Sequence, residues 1–515
     1  MIRAQGKPSQ PPSTTTTTYS MWMLLLLPAL AAAVRLPGLD RPLSGNFATK
    51  NVVYAMAARN WAEGRAPLWQ PTIDCLTDGE RSWHLMEYPA SALVTAAAWR
   101  MFGGSLDVWG RLTAIAWSCL AVVCAYRLGR RWFGEVEGRV AGLVMAFAPV
   151  GIIYGQSFML EASVAALSLV AVDVMDVWRQ TRKWLPLLIT ALAASLVVAT
   201  KVYMAILVVP LAAVVLLRRP DSPALSRREL LAMSAAFACA LAPTIAWYGW
   251  VASVDATAGP AVDFHPRSRA TIHDIPHPLL GDPQYYGRLL YHAAGLMLTP
   301  LGLAAACIGA CDRRFRRALA WLAVSLGLWF ALPLKFHHAN YYFLVVLPPA
   351  ALAAGVGWRR LRDQLPLVHR LEPAAALVTL AIVARLSIGP AFNTPDEDRS
   401  VPDVAAAARQ ASSADDKIAT LHGSTIDVLY YCDRTGWAFD VDDPNFAERL
   451  IVAQAGGAKV LAVADVDRAL SKPHINATLN ALPVLASGDD WTLYRLAPPT
   501  NAESRMVQLP STPRR

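Results

Sequence analysis

The sequence predicts a mainly α-helical, polytopic membrane protein with about eleven transmembrane helices and a small α/β domain near its C-terminus. Hydrophobic residues make up 55% of the 515-residue chain, and the mean hydropathy is +0.34. A soluble domain is about 45–50% apolar even when glycine is counted. The excess lies in repeated apolar runs that approach the ~20 residues a helix needs to cross a bilayer. Short clusters of Lys and Arg separate these runs.

These basic clusters predict the path of the chain through the membrane. Cytoplasmic loops collect Lys and Arg, so each cluster is placed inside and the apolar segments between clusters must come in pairs. The clusters are Arg127/Arg130/Arg131, Arg179/Arg182/Lys183, Arg218/Arg219/Arg227/Arg228, Arg313/Arg314/Arg316/Arg317 and Arg359/Arg360/Arg362. The predicted spans are 21–36, 109–128, 138–155, 160–178, 184–199, 202–217, 230–250, 289–310, 318–334, 341–357 and 372–390. The N-terminus is then cytoplasmic and the C-terminus external, as in a multi-pass protein of the cell (inner) membrane.

The first external loop, residues 37–108, is predicted to hold two helices that lie along the membrane. The chain enters this loop from the run 21–36, which has no A-x-A-like cleavage site and is interpreted as an uncleaved signal anchor. Residues 89–102 form a run of only about fourteen residues, nearer to an interfacial helix than to a span. In residues 51–64 the apolar side chains share one face at helical spacing, which predicts the other surface helix.

The composition becomes that of a soluble protein after Pro390. Residues 391–498 are predicted to form an external α/β domain behind a membrane domain at 20–390, because strands and helices alternate there. Residues 1–19, a cytoplasmic tail rich in Thr and Pro, and residues 499–515 are predicted to be disordered. The predicted C-terminal elements are a helix at 403–412, strands at 417–422 and 428–432, a helix at 447–455 that stops at Gly456-Gly457, and strands at 460–464 and 491–496.

The net charge of +9 does not indicate a nucleic-acid-binding protein. The basic residues lie in small clusters between apolar runs, where they orient membrane helices and meet anionic headgroups. The seven cysteines include no CxxC pair, and five of them fall in or beside apolar helices, where Cys acts as a small hydrophobe. These patterns argue against a nucleic-acid partner, a disulfide framework and a cysteine-based zinc site.

Three carboxylates at the predicted outer surface are candidates for catalysis. Glu161 opens the span 160–178 directly after a turn, and Glu87 stands two residues before Pro89. An acid at a membrane boundary costs free energy unless it lines a polar cavity or pairs with a cation. Both positions also suit a carboxylate that merely favours a helix N-terminus. The third candidate, Asp74, lies in a loop where simple solvation is the alternative.

Cationic side chains are predicted at the same face. Lys201 lies in the tight turn between two spans, where it would bind a phosphate or pyrophosphate or else reach for water as an isolated lysine does. The segment LKFHHANYY adds further candidates for binding a donor phosphate, with a hydrated turn as the alternative: Lys335, His337, His338 and Tyr342. The loop 251–288 contains Asp263, His265, His273, Asp274 and His277. The spacing of His273 and His277 suits a metal ion, but prolines break any helix that would align them, which argues against a metal site.

Several stretches, taken in order, resemble the polytopic glycosyltransferases with the GT-C fold. The nearest likeness is to the dolichyl-phosphate-mannose protein mannosyltransferases and the bacterial lipid A aminoarabinose transferases. The resemblance covers about residues 20–360, and it rests on the order and topology of the stretches because no single motif is specific. The stretches are YAMAARNWAEG, EYP, FGGSLDVWGRL, YRLGRRWFG, GQSFMLE, ATK and HHANYYFLVVLPP.

The resemblance implies a polyprenyl-phosphate sugar as donor and a hydroxyl group of a lipid, glycan or protein as acceptor. An acidic residue would take the proton of the acceptor, and Lys, Arg or a divalent metal ion would stabilise the departing phosphate. The family acid after GQSFML-type turns matches Glu161, and the group before the Pro of the second surface helix matches Glu87. Lys201 matches a lysine of the family hairpin. No other cofactor is implied.

The chain departs from the family pattern just ahead of the YAMAAR helix. The family typically has an Asp-Glu pair there, whereas this chain has Lys50 and Asn51, and the role of Arg59 in the same helix is open. Either Glu87, Asp74 or another carboxylate supplies the base, or the chain is a non-catalytic partner in a glycan-assembly complex. A lipid or glycan transporter is a third hypothesis, but no clear internal repeat is found and polar residues concentrate outside the helices.

Overall fold

The computed structural model describes residues 14–45, 47–77, 79–85, 87–217, 224–256, 277–423 and 425–497. The helices are Thr14–Ala33 (α1), Ala48–Ala62 (α2), Ala90–Phe102 (α3), Leu106–Trp132 (α4), Glu135–Phe147 (α5), Pro149–Tyr154 (α6), Glu161–Thr181 (α7), Trp184–Thr200 (α8), Val208–Leu216 (α9), Arg227–Ala256 (α10), Pro283–His292 (α11), Thr299–Ala310 (α12), Arg316–Ala331 (α13), Pro333–His338 (α14), Phe343–Gln364 (α15), Pro366–Phe392 (α16), Val401–Ala411 (α17), Asp427–Cys432 (α18), Phe446–Ala455 (α19), Val466–Leu470 (α20) and Pro473–Leu479 (α21). The strands are Thr72–Thr77 (β1), Glu80–Trp83 (β2), Lys417–His422 (β3), Gly436–Asp440 (β4), Ala458–Ala464 (β5), Val484–Gly488 (β6) and Trp491–Arg495 (β7).

Every predicted span in the described chain falls on helix, but few of these helices are long and straight enough to cross a bilayer alone. Four helices are long and apolar enough to cross a membrane: Leu106–Trp132, Arg227–Ser253, Asn340–Gln364 and Arg370–Gly389. A fifth is counted if Pro283–Met297 and Thr299–Ala310, which meet at a bend of 104°, form one span. These apolar helices support a membrane location. The count of eleven spans stays a prediction.

Breaks inside the predicted spans explain the lower count. Span 138–155 divides into α5 and α6 at Pro149, because proline lacks the N–H that would continue a helix. Span 202–217 begins as the 3-10 segment Val202–Leu207 before α9. Span 289–310 passes through the π-helical turn Ala293–Met297 and then bends sharply. The predicted N-terminal tail 1–19 is partly helical, since α1 begins at Thr14. Residues 499–515 lie outside the described chain.

Small residues allow α12 and α15 to cross at close range. A Cβ atom added to Gly309 would lie 1.9 Å from the carbonyl oxygen of Ala353, and one added to Gly357 would lie 1.8 Å from that of Ala305. Only glycine fits at these two positions. Without water to drive association, membrane helices pack in this way, with small residues bringing the backbones together.

The first surface helix of the prediction is a buried helix in the structure. All but three residues of α2 are buried, including the polar Asn51 and the charged Arg59. The helix packs against α3 and α4 on one side and against β1 and α18 on the other. The prediction of a one-sided amphipathic helix was therefore wrong, because the C-terminal part of the chain covers the face that would otherwise be solvated.

The strands form one sheet of seven, in the order β2-β1-β4-β3-β5-β7-β6. The central strands β4, β3 and β5 are parallel, and the two edges are antiparallel hairpins. The hairpin β1-β2 belongs to the first loop and joins the C-terminal strands through Cys75 and Gly436. The predicted boundary at residue 391 thus runs through a single sheet, and the two regions share one core.

The predicted strand at 428–432 is a helix, α18. Aromatic and branched residues in VLYYC favour a strand locally, but Tyr430 and Tyr431 occupy successive positions that both reach Asp107 at the start of α4. Their hydroxyl groups donate to Oδ1 and Oδ2 of Asp107, each at 2.6 Å. Strand geometry would send the two side chains to opposite faces. The other predicted C-terminal strands and helices lie within a few residues of the observed ones.

Replacing Asp107 with Ala should loosen the C-terminal sheet from the helices. It would leave the hydroxyl groups of the buried Tyr430 and the half-buried Tyr431 without their acceptor, at a cost of about 1–3 kcal/mol for the buried one. We expect faster proteolysis within residues 401–497 and a lower unfolding midpoint. Asp107→Asn, which keeps one acceptor oxygen, should show a smaller loss. Equal proteolysis of the wild type and Asp107→Ala would show that other contacts hold the sheet in place.

Candidate functional site

Four charged side chains from four chain segments meet between the first loop and the helix ends. Lys201 follows α8 and is 2% exposed. Its Nζ atom forms a short ion pair with Oε1 of Glu87 and lies 3.1 Å from Oε1 of Glu161. Lys50 Nζ approaches Glu87 Oε1 from the other side, at 3.6 Å. We call Glu87, Glu161, Lys50 and Lys201 the charged cluster, and its formal charges cancel.

Backbone geometry explains why these residues meet. Glu161 is the first residue of α7, where a carboxylate interacts favourably with the helix N-terminus. Lys201 interrupts the helical hairpin with extended backbone angles, φ −143° and ψ 102°. The backbone N–H of Tyr88 donates to the carbonyl of Ala199 at 3.1 Å, which fastens the segment that carries Glu87 to the hairpin that carries Lys201.

Tyrosines surround the charged cluster. Tyr54 of α2 donates a short hydrogen bond to Oε2 of Glu87. The ring of Tyr341 lies under both lysines, with its centroid 4.6 Å from Lys50 Nζ and 5.8 Å from Lys201 Nζ. The ring of Tyr342 is 5.8 Å from Lys201 Nζ. Ammonium groups within ~6 Å of an aromatic centroid are attracted to the ring. The prediction named Tyr342 for this site, and the structure brings it there.

The two glutamates differ in what they offer a ligand. Burial alone would raise the pKa of Glu87, but Lys201, Lys50 and His84 lower it well below the usual value. Its oxygens are occupied by Tyr54 and Lys201. Glu161 is 2% exposed, and neither of its oxygens accepts a hydrogen bond of good geometry from the described residues. Buried polar atoms are nearly always paired. Apart from the 3.1 Å contact between Oε1 and Lys201, Glu161 therefore keeps lone pairs that a hydroxyl group bound in the site can reach.

The stabilising effect of the Glu87 charge should be constant from about pH 8 to pH 5. A carboxylate whose folded pKa is depressed contributes stability above its unfolded pKa, about 4.5, and loses that contribution as the pH falls through the folded value. The difference in unfolding midpoint between the wild type and Glu87→Gln should therefore begin to shrink only when the pH falls below the unfolded pKa of about 4.5. If the difference vanished between pH 7 and 5, burial would outweigh the lysines.

Asp74, a predicted catalytic acid, lies in a separate ion-pair group. Its Oδ2 atom accepts from Arg59 at 2.7 Å, and its Oδ1 atom lies 3.7 Å from Arg81. Arg59 also pairs with Asp433 at the end of α18, at 2.8 Å. These contacts join the first loop to the C-terminal sheet. Among the contacts of the described chain, none connects Asp74 to the charged cluster.

The remaining predicted phosphate ligands lie around α14. Nε2 of His337 is 3.3 Å from Arg288 of α11, and its ring packs against that of the exposed His338. Lys335 lies on the same short helix. His277 only caps the next turn, through its Nδ1 atom. The other His and Asp side chains of the loop 251–288, Asp263, His265, His273 and Asp274, fall outside the described residues. Asn51 donates to the carbonyl of Phe47 within its own helix.

Comparison with known proteins shows what kind of fold carries this cluster. The family model for dolichyl-phosphate-mannose-protein mannosyltransferases matches residues 88–247, which include Glu161 and Lys201. No curated protein matches the chain in sequence. ArnT from Cupriavidus metallidurans bound to undecaprenyl phosphate has a TM-score of 0.63 at 14% identity, over 94% of this chain and 100% of that one. The chain has the GT-C fold.

A second GT-C structure supports the assignment. The archaeal oligosaccharyltransferase AglB from Archaeoglobus fulgidus, in complex with an inhibitory peptide and a dolichol-phosphate, has a TM-score of 0.57 at 12% identity. That match covers 94% of this chain and 75% of AglB. The GT-C fold that the sequence resemblance implies is therefore confirmed, whereas the count of eleven spans and the separate C-terminal α/β domain stay predictions. Identities this low establish a shared GT-C fold and leave the activity to be argued from the site.

The charged cluster does not fit the divalent metal ion that the resemblance allows. A cation site needs oxygen or nitrogen donors around an open position, but the ammonium of Lys201 lies between Glu87 and Glu161. Within the described ranges, one group of three side chains is close enough together to hold a metal ion. It consists of Asp398, His422 and Asp427 in the C-terminal region, outside the charged cluster.

Sequence reasoning missed two features of the site. It treated Lys50 only as a replacement for an expected acid, whereas Lys50 pairs with Glu87. It also missed Tyr54 and Tyr341. The YAMAAR motif begins at Tyr54, within α2, and Tyr341 precedes the predicted Tyr342 in LKFHHANYY. Only the tertiary fold reveals that both tyrosines contact the charged cluster, Tyr54 through Glu87 and Tyr341 through the two lysines.

Proposed function

We propose that the chain is a membrane glycosyltransferase that moves a hexose or pentose from a polyprenyl-phosphate donor to a hydroxyl group. The acceptor belongs to a lipid, a glycan or a protein at the outer face of the membrane. The observation that carries this proposal is the buried Glu161–Lys201–Glu87 arrangement, held at the helix ends of a GT-C fold. Relatives of that fold have been solved with undecaprenyl phosphate and with dolichol-phosphate.

Lys50 and Lys201 bind the donor phosphate in this proposal. They bring two positive charges to one buried position, and Glu87 holds them together through its short contact with Lys201 and its 3.6 Å contact with Lys50. Preorganised cations stabilise the charge that develops on a departing phosphate, and they do so more strongly where water is excluded. Tyr341 and Tyr342 keep the ammonium groups in place from below.

Glu161 is the proposed general base, in place of the acid that the family carries ahead of the YAMAAR helix. Its free lone pairs accept the proton of the acceptor hydroxyl as that oxygen attacks the anomeric carbon. The bond from this carbon to the phosphate oxygen breaks, and its electron pair leaves with polyprenyl phosphate. Glu87 is a positioning residue, because its lowered pKa makes it a poor proton acceptor.

An apolar cavity beside the charged cluster suits the prenyl chain of the donor. The cavity has a volume of about 550 Å³ and lies between α8, α10 and the first loop. Its wall includes Tyr88, the residue after Glu87, and Ala199, two residues before Lys201. Apolar side chains make up most of the rest: Trp69, Leu192, Leu196, Ala240, Pro243, Ala246, Trp247 and Trp250. A chain of isoprene units would be buried there at roughly 25 cal/mol per Å² of apolar surface.

The orientation follows from the basic clusters, which we assign to the cytoplasm together with the N-terminus. The C-terminal α/β region, 391–498, is then external and covers α2.

A non-catalytic partner of a glycan-assembly complex is the second candidate, because Lys50 and Asn51 stand where an Asp-Glu pair is expected. Neither oxygen of Glu161 accepts a hydrogen bond of good geometry from the described residues, which favours the enzyme, since a purely structural acid would be fully hydrogen-bonded.

Membranes from cells that express the protein test the proposal. They would be incubated with a panel of radiolabelled polyprenyl-phosphate sugars, and label would be followed into lipid, glycan and protein fractions. We expect one donor to label one fraction above vector-only membranes, and the matching polyprenyl-pyrophosphate donor to be inactive. Labelling no greater than in vector-only membranes, with every donor, would favour the non-catalytic partner.

A further inference from the structure

A buried polar group lies at the carboxyl ends of the parallel strands, apart from the charged cluster. His422 is the last residue of β3, Asp427 begins α18, and Asp398 lies in the connection between α16 and α17. Their exposures are 3%, 0% and 7%. In open α/β sheets, ligands bind at this edge of the sheet. The proposed sugar transfer uses none of these residues.

Asp427 fixes the orientation of the His422 ring. Its Oδ1 atom lies 3.0 Å from Nδ1 of His422 and also accepts the backbone N–H of Val428, at 2.9 Å. With a proton on Nδ1, the lone pair of Nε2 faces two oxygens, the carbonyl of Glu397 at 3.2 Å and Oδ1 of Asp398 at 3.5 Å. A metal-binding histidine almost always donates its other N–H to a carboxylate in this way.

The spacing of these atoms suits a shared ion. Two ligands that each lie about 2.0–2.2 Å from a zinc ion in tetrahedral geometry are separated by roughly 3.3–3.6 Å. The separations from Nε2 are 3.2 and 3.5 Å. A distance of 3.5 Å is long for a hydrogen bond to a carboxylate. The Nε2–Asp398 contact is therefore better explained by an ion between the two atoms than by a direct bond.

The site also carries more negative charge than its neighbours balance. Oδ2 of the fully buried Asp427 has no hydrogen bond of good geometry among the described residues, although the Ser44 hydroxyl approaches that carboxylate. An unpaired buried carboxylate oxygen is costly. A divalent cation would offset this charge.

We propose that His422 Nε2, Asp398 Oδ1 and the Glu397 carbonyl bind a divalent transition-metal ion of the Zn²⁺ class, with Asp427 orienting the imidazole. One imidazole with carboxylate and carbonyl oxygens is a donor set that such ions accept. The ion ties the connection after α16 to the end of β3. It thereby fastens the sheet to the last long helix. The alternative is a protonated His422 that bridges the two carboxylates without any ion.

Metal analysis of the full chain, purified in detergent and stripped with chelator, distinguishes the two states. Zn²⁺ would be titrated calorimetrically into the wild type and His422→Gln. We expect about one ion per wild-type chain, and at least ~100-fold weaker binding by the variant, since even orienting residues are worth 10–100-fold. His474→Gln is the matched control. His474 is an exposed histidine of α21, in the same C-terminal region, so its replacement should leave binding unchanged.

A second variant protects the test against misfolding. Asp398→Asn keeps the His422–Asp427 pair and should fold, yet Zn²⁺ should no longer raise its unfolding midpoint. Co²⁺ added to the stripped wild type should give visible absorption bands that both variants lack. Failure of the stripped wild type to bind Zn²⁺, or equal binding by the wild type and His422→Gln, would overturn the metal site and leave the protonated bridge.

Discussion

Glu161→Gln is expected to lower sugar transfer by about 10²–10⁴-fold while the protein still folds, because general base catalysis contributes about that factor. The substitution keeps the size of the side chain and removes only its ability to take a proton. Lys201 still pairs with Glu87, so no buried lysine is left without a counter-charge. The measurement is the initial rate of transfer at equal protein level, together with the unfolding midpoint.

Glu137→Gln is the matched control for this variant. Glu137 is also a buried glutamate paired with a cation, Arg314 at 3.1 Å, but it lies at the start of α5, outside the charged cluster. It should keep near-normal transfer per folded molecule. Glu161→Asp should retain part of the activity, since its carboxylate survives with a shorter reach. Transfer by Glu161→Gln at the wild-type rate would remove Glu161 from the mechanism.

Lys201→Met is expected to abolish transfer and to destabilise the fold by about 3–5 kcal/mol, the usual cost of removing one partner of a buried ion pair. Lys201 is the one described cation in contact with both Glu87 and Glu161. Methionine fills similar space without the charge. Lys50 then remains beside Glu87, but Glu161 is left as a buried carboxylate with no counter-charge.

The double variant Lys201→Met/Glu161→Gln separates stability from chemistry. It removes the uncompensated charge, so most of the lost stability should return while transfer stays absent. The two unfolding midpoints, measured in the same detergent, give the coupling between the residues. If the double variant were no more stable than Lys201→Met, the contact between Lys201 and Glu161 would not explain the loss.

The helical part of the fold could be predicted because a bilayer imposes long apolar runs. The segments from 109–128 to 372–390 fall on helices for that reason. Interruptions within them depend on single residues, such as Pro149, which divides the predicted span 138–155 into α5 and α6. Hydropathy does not reveal how such a break bends the chain, so the number of spans could not be read from the sequence.

The errors in the first loop and at 428–432 have a common cause. Residues far apart in sequence decide both structures: α18 covers α2, and Asp107 of α4 binds both tyrosines of α18. The pattern of apolar and polar residues within one segment predicts its structure as though one face met solvent, and it does not reveal which distant residues cover that face. Strands β1 and β2 were missed for the same reason, since β1 pairs with β4 more than 350 residues later.

The sequence predicted which residues form the core of the candidate site, but not which of them contact one another. Chain topology indicated that Glu87, Glu161 and Lys201 share one side of the membrane. It could not reveal that Lys201 touches both acids, or that Asp74 belongs instead to Arg59. Lys50 was expected to mark a missing acid, and its pairing with Glu87 gives it a different place in the site.

The most direct test is to count products with the purified protein in liposomes that contain a radiolabelled polyprenyl-phosphate sugar and its acceptor. The proposal predicts that one polyprenyl phosphate is released for every sugar transferred by the wild type, and that Glu161→Gln releases almost none. An intact donor that merely crosses the bilayer, or equal release by both proteins, would contradict it.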